Sequence, residues 1–110
     1  MPDVMTDRRS APRYPLILSA EVSDKASGAK HAGRTADISR TGCYIDTLNP
    51  IPAGSAVHVR LQHENEFFDV DARVIYLSPG LGMGLAFTPP ISPAQQEILD
   101  RWLQEAAKAK

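Results

Sequence analysis

The sequence predicts a mainly β domain, a small antiparallel barrel or sandwich of short strands followed by one C-terminal helix. Two patterns indicate this fold class. Apolar and polar residues alternate with a period of two in several segments between residues 16 and 87, and turn-forming residues separate the segments. After residue 91 the period changes to that of an amphipathic helix. No segment has strand–helix–strand order, which argues against nucleotide-binding folds of the Rossmann or P-loop type.

The strand candidates follow one another along the chain. Segments 16–22, 57–62 and 68–74 alternate most regularly, and 34–38, 43–47 and 81–87 are further candidates. Turn signals lie between them, at Ser27-Gly28, at Asn49-Pro50 with Pro52 and Gly54, and at Pro79-Gly80. In segment 57–62 the odd-numbered residues are apolar, so His58 is predicted to face solvent.

The helix is predicted over residues 92–110. Ser92 can cap its N-terminus, Pro93 suits the first helical position, and Gln95 completes the pattern of a capping box. An apolar stripe follows at helical spacing, made of Ile98, Leu99, Trp102, Leu103 and Ala106. We expect this stripe to lie on the sheet, and a docking face for a partner is the alternative.

Composition limits the size, the location and the partners of the domain. The chain has 110 residues, 43% hydrophobic and 23% charged, which suits one globular unit with one core. Lys and Arg number 12 against 13 Asp and Glu, so the chain is not generally polybasic. No apolar run reaches the roughly 18 residues of a membrane span, and the first ten residues lack the apolar centre of a secretory signal. We therefore expect a cytoplasmic protein without membrane insertion.

Residues 1–15 form a polar arm that precedes the predicted barrel and helix of residues 16–110. The arm contains Arg8, Arg9 and Arg13 within six residues. Arginine donates to phosphate in a bidentate way, stacks on bases, and can donate to O6 and N7 of guanine. The alternative is a solvated run of charge on a frayed terminus.

A second polar cluster lies between two strand candidates and contains Asp37, Ser39 and Gly42. On extended backbone Asp37 and Ser39 point to the same side. A carboxylate there can accept from N1–H and N2–H of guanine, and Gly42 allows positive φ or the close approach of a ligand. The alternative is a polar turn whose side chains bond to their own backbone.

Together the two clusters resemble the paired motifs of the PilZ domain family. Arg9 and Arg13 match R-x-x-x-R, and Asp37, Ser39 and Gly42 match [D/N]-x-S-x-x-G. The order of arm, strands and helix resembles the family over nearly the whole chain. The resemblance implies a six-stranded antiparallel PilZ-type β-barrel with a C-terminal α-helix, which together make a single domain.

The resemblance also implies a stand-alone receptor for the bacterial second messenger cyclic di-GMP, without a cofactor. Arg9 and Arg13 would contact phosphate and guanine, Asp37 and Ser39 would read a guanine edge, and Gly42 would leave room for it. An arginine such as Arg8, before the first motif arginine, favours two ligand molecules per chain in this family. The flexible arm would order over the barrel and signal to an unidentified downstream protein.

Other classes of function have less support in the sequence. One alternative is a PilZ-like protein-interaction module that binds no nucleotide. Another is a single-stranded nucleic acid binder with Tyr14 and Tyr44 as stacking platforms, although the overall charge is not basic.

An enzyme or a metalloprotein is not predicted. Cys43 lies in an apolar strand without an adjacent base, so it is interpreted as a buried small hydrophobe. The three histidines (His31, His58 and His63) lack metal-ligand spacing, and Asp69 and Asp71 fit a solvated strand face. We therefore predict no catalytic residues and no metal ligands.

Overall fold

A computed structural model describes residues 11–108 as a closed antiparallel barrel with one helix on it. The strands, β1 to β6 in chain order, are Ser19–Asp24, Lys30–Ile38, Gly42–Asp46, Ala56–His63, Glu66–Ser78 and Gly82–Phe87, and helix α1 is Pro93–Lys108. Their order around the barrel is β1-β2-β3-β6-β5-β4, and β1 closes the ring by pairing with β4. The predicted six-stranded fold is confirmed, as a barrel and not a sandwich.

The core consists of the apolar residues that alternate along the strands. Because successive side chains point to opposite faces, one set of each strand points into the barrel and the other set faces solvent. The buried apolar strand residues are Ala20, Val22, Ile38, Cys43, Ile45, Val57, Val59, Leu61, Phe68, Val70, Ala72, Val74, Met83, Leu85 and Phe87. Most of these positions are those that the alternating sequence pattern predicted.

The first strand begins later than the sequence predicted, at Ser19 and not at residue 16. Before it, Tyr14 forms an isolated antiparallel bridge with Ile38, with two backbone hydrogen bonds of 2.9 and 3.0 Å. The Leu18 N–H then donates to the Thr35 hydroxyl, 2.8 Å away, beside an irregularity in β2 between Thr35 and Asp37. The Thr35 side chain thus replaces backbone hydrogen bonds of the strand ladder at this point. The alternation of apolar and polar residues does not predict such a replacement.

Strand β5 extends further than the predicted 68–74. It begins at Glu66, directly after a tight turn in which Glu64 adopts a positive φ of 57°. It ends at Ser78, after an irregularity between Val74 and Tyr76. The last residues of β5 therefore extend beyond β4, which pairs only with the first half of β5.

Helix α1 packs its apolar stripe on the barrel, as predicted, with Leu99, Trp102 and Leu103 buried. The Trp102 ring lies edge-on to Phe68, with centroids 6.3 Å apart, and its indole N–H donates to Glu66. Within residues 11–108, no helix is long and apolar enough to span a membrane.

The predicted capping box is wrong in one half. The Ser92 hydroxyl accepts from the Gln95 N–H at 3.4 Å, as an N-cap does. The Gln95 side chain does not return to the cap, because its Oε1 accepts the N–H of Asp69 at 2.6 Å. The glutamine therefore ties the helix start to β5.

Candidate functional site

An ion pair joins the arm to the end of β2. The backbone bridge between Tyr14 and Ile38 places Arg13 beside Asp37. Arg13 Nε and Nη2 both donate to Asp37 Oδ1, at 2.9 and 2.5 Å, and the two side chains are 47% and 37% exposed. Two predicted site residues are therefore neighbours on an accessible surface. Arg8 and Arg9 lie outside the described residues.

Ser39 occupies a different environment from Asp37. It is fully buried, and its hydroxyl accepts the Thr41 N–H at 3.1 Å, while the Ser39 N–H donates to the Gly42 carbonyl at 2.8 Å. The turn between β2 and β3 is thus closed by Ser39 itself, which corresponds to the polar-turn alternative for this residue. The guanine-reading role of Ser39 stays a prediction.

Gly42 lies against the barrel's own backbone. It pairs with Ala86 of β6, and a Cβ atom added at Gly42 would overlap the carbonyl oxygen of Leu85. The close approach expected for this glycine therefore occurs between β3 and β6. Its role in making room for a ligand stays a prediction.

Arg40, inside the same turn, was not predicted from the sequence as a site residue. Its Nε donates to Asp100 Oδ1 of α1 at 3.2 Å, and Gln96 Nε2 donates to the same oxygen at 2.9 Å. A groove beside this pair runs between the arm and the helix, and its lining includes Pro12 and Tyr14. An arginine within the motif was a visible signal, but no sequence pattern connects residue 40 with residue 100.

Cys43 is fully buried in β3, as predicted. Burial raises the pKa of its thiol to about 12, although the nearby Arg13 acts in the opposite direction. A thiol with this pKa is almost entirely protonated at neutral pH, so it is not an activated nucleophile.

A charged network covers the outer face of β4 and β5. The two ring nitrogens of His58 lie 3.2 Å from carboxylate oxygens of Asp69 and Asp71, and the imidazole is half-exposed, as predicted. Burial alone would raise the pKa of Asp69, but hydrogen bonds from Arg60 and His58 lower it overall. Hydrogen bonds from Lys25 and His58 lower the pKa of Asp71. Between residues 11 and 108, no three His, Cys, Asp or Glu side chains are arranged to hold a metal ion.

Comparison with known proteins gives a consistent family and fold. The sequence model described as "PilZ domain" matches residues 7–105. The PilZ domain of CeSA from a cellulose-synthesizing bacterium has a TM-score of 0.68 and 22% identity, over 83% of this chain and 93% of that chain. The PilZ domain of Escherichia coli YcgR, solved with c-di-GMP, has a TM-score of 0.75 and 17% identity, over 93% of each chain.

A further similar structure is that of MotI (DgrA), an inhibitor of motility from Bacillus subtilis. It has a TM-score of 0.76 and 16% identity, and the match covers 94% of this chain but 53% of that one. No curated protein matches this chain. At these identities the likeness to solved structures concerns the fold.

Proposed function

The chain belongs to the PilZ domain family, and on that premise we propose that it is a receptor for cyclic di-GMP. The observation that carries the proposal is the contact between Arg13 and Asp37, one residue from each family motif, on an exposed surface. The solved complex of the YcgR PilZ domain with c-di-GMP, which has the same fold, supports this ligand.

Ligand binding exchanges the partners of this ion pair. A phosphodiester of cyclic di-GMP offers the Arg13 guanidinium an anion to replace the carboxylate of Asp37. The carboxylate of Asp37 is then free to accept N1–H and N2–H of a guanine base. Arg8 and Arg9 add positive charge from the arm, which stabilises the doubly anionic ligand and can stack on its bases.

Ser39 and Gly42 support the site chiefly by fixing the backbone that carries Asp37. The Ser39 hydroxyl and backbone close the turn, and Gly42 lets β3 approach β6. A turn held in this way keeps the carboxylate in one place before the ligand arrives, which lowers the entropic cost of binding.

The signal is a change in the surface that the protein presents to its partner, and no catalytic step is involved. The residues before Ala11 close over the bound ligand, and binding shifts the population toward this closed arm. The new surface then engages a downstream protein. Arg8 favours two stacked ligand molecules per chain.

Isothermal titration calorimetry with cyclic di-GMP tests the proposal, with GTP and cyclic di-AMP as controls. We expect selective binding with a dissociation constant of about 1 μM or lower, and two ligands per chain. An Arg8→Leu variant is expected to bind one ligand. The absence of both binding heat and a shift in melting temperature would exclude the receptor function.

The second candidate is an interaction module of the same family that binds no nucleotide. One observation favours it: Ser39 and Gly42 have structural roles that would keep them in place without any ligand. The same titration separates the two, because the module predicts no response to cyclic di-GMP in the wild-type chain.

A further inference from the structure

The C-terminal end of β5 is an open strand edge. Strand β4 pairs with β5 only as far as Arg73. Two further hydrogen bonds extend the pairing to Val74, because the Gly54 N–H donates to the Val74 carbonyl and the Val74 N–H donates to the Ser55 carbonyl. On its other side β5 stays paired with β6 as far as Ser78. Among the described residues, none outside the β5–β6 hairpin makes a backbone hydrogen bond to residues 75–78. Because alternate residues of a strand direct their backbone groups to opposite edges, about two of these four residues present N–H and C=O groups to the open side.

The side chains at this edge are apolar and accessible. Ile75, Tyr76 and Leu77 are 52%, 48% and 37% exposed. Tyr76 is held in place, because its ring covers Gly84 and stacks on Tyr44 with centroids 6.1 Å apart. An ordered apolar edge of this kind is a template for pairing with another strand.

Charge does not protect this edge. Sheet edges are commonly blunted by lysine, proline or a bulge. Here an irregularity precedes Tyr76 and Pro79 follows the edge, but residues 74–87 contain no charged side chain. The adjacent connection, residues 47–56, is also uncharged. Depletion of charge is typical of the centre of a protein–protein interface.

A second copy of the chain fits this edge. An edge that pairs antiparallel with itself forms a two-fold symmetric contact, in which the same residues serve both partners. The nearest charge, Arg73, then lies opposite the turn at Gly80 of the other copy, so the two arginines do not face each other. The pairing therefore brings no like charges together.

We propose that two copies of this chain associate through antiparallel pairing of residues 75–78, with Ile75 and Leu77 packed across the contact. This interface is independent of the proposed ligand site, since β5 carries none of the motif residues. Four paired residues are fewer than a permanent interface uses, so the dimer is weak, with a dissociation constant of about 10–100 μM.

Sedimentation velocity of the full chain tests the proposal, at concentrations from about 5 to 500 μM that bracket this constant. The wild type is expected to change from monomer to dimer over this range. Ile75→Lys adds a charge at the edge and is expected to weaken the dimer at least about tenfold. The matched control is Ile17→Lys, because Ile17 is also exposed, at 71%, but lies outside the edge. It should dimerise as the wild type does.

Hydrogen exchange gives a second readout that does not depend on a variant. Edge amides among residues 75–78 should exchange more slowly at high protein concentration than at low, while those of other strands stay constant. A wild type that is monomeric throughout the range overturns the proposal. So does a dimer that Ile75→Lys leaves intact, or one that both lysine variants weaken equally.

Discussion

The guanidinium of Arg13 and the carboxylate of Asp37 satisfy each other, with two donors of the arginine on one oxygen of the aspartate. Each belongs to a different motif of the PilZ domain, and each is the group that the proposed ligand would need. In the proposed mechanism the pair orients both side chains before binding and opens when the ligand arrives. Since both side chains are well exposed, water can stabilise the separated charges, and opening costs at most about 1 kcal/mol.

Arg13→Ala should weaken cyclic di-GMP binding by about 10- to 100-fold, because a bidentate arginine contact is worth about 1–3 kcal/mol. Calorimetry measures the effect, and a nearly unchanged melting temperature would show that the fold is intact. Arg101→Ala is the matched control, since Arg101 forms a similarly exposed ion pair with Glu66, away from both motifs. Affinity within about threefold of the wild type for Arg9→Ala and Arg13→Ala alike would contradict the proposed site.

Gly42→Ala should destabilise the barrel by about 3 kcal/mol, because the new methyl group meets the Leu85 carbonyl and backbone cannot move aside easily. Gly28→Ala is the comparison, since Gly28 has a φ of +79° but open space around it. That change should cost about 1–2 kcal/mol from backbone strain alone. Urea unfolding measures both. Equal losses of unfolding free energy in the two variants would mean that the contact with β6 does not restrict the residue at position 42.

Stability should fall in acid through the pair Asp69 and Asp71. The pKa of each carboxyl is lower in the folded chain than its ordinary value of 3.8, because Arg60, Lys25 and His58 donate to them. Their contribution is therefore present above about pH 4 and is lost as the pH falls through the lowered folded-state pKa.

The double variant Asp69→Asn/Asp71→Asn should lose less stability than the wild type between about pH 5 and pH 2, as measured by urea midpoints. Because Asp71 is half-exposed, solvent screening keeps the difference modest. Asp46→Asn, on another strand, is the control. Parallel profiles for the wild type and the double variant would refute this account.

Cys43 should resist thiol reagents in the folded protein. With a pKa of about 12 its thiolate is scarce at pH 8, and burial also blocks access. A chromogenic disulfide reagent should react completely in denaturant and only at the rate of unfolding without it. Rapid modification of the native chain would show that β3 opens locally.

Ligand should slow hydrogen exchange in the arm, but unequally. The Tyr14 N–H already donates to the Ile38 carbonyl in the free chain, so it should be protected without ligand. The amides of residues 8–11 and of Arg13 should become protected only when cyclic di-GMP is added. If the rate of hydrogen exchange in this segment does not change at saturating ligand, the arm takes no part in the switching mechanism.

Most of the barrel could be predicted from the sequence because apolar and polar residues alternate along most of its strands. Val57, Val59 and Leu61 are buried on one side of β4, and His58 and Arg60 form the charged outer face. The buried Cys43 was likewise evident from its apolar surroundings. These features depend on residues that are close in sequence, so they can be predicted from a local sequence pattern.

Contacts between segments that are distant in sequence could not be predicted in this way. Ser39 is two residues from Asp37, yet the turn buries one and exposes part of the other. The Gln95 side chain bonds to β5 and not to its own helix cap, and Arg40 meets Asp100 across 60 residues. Each outcome depends on which surfaces the closed barrel brings together.

Trp102, the one tryptophan in the chain, provides an intrinsic fluorescence probe of the contact between helix and barrel. Its ring is buried between Phe68 and the imidazole of His63, and its N–H is held by Glu66. Separation of the helix from β5 would expose the indole to water and shift its emission to longer wavelength. Helix release and global unfolding can therefore be followed optically in the unlabelled wild-type chain.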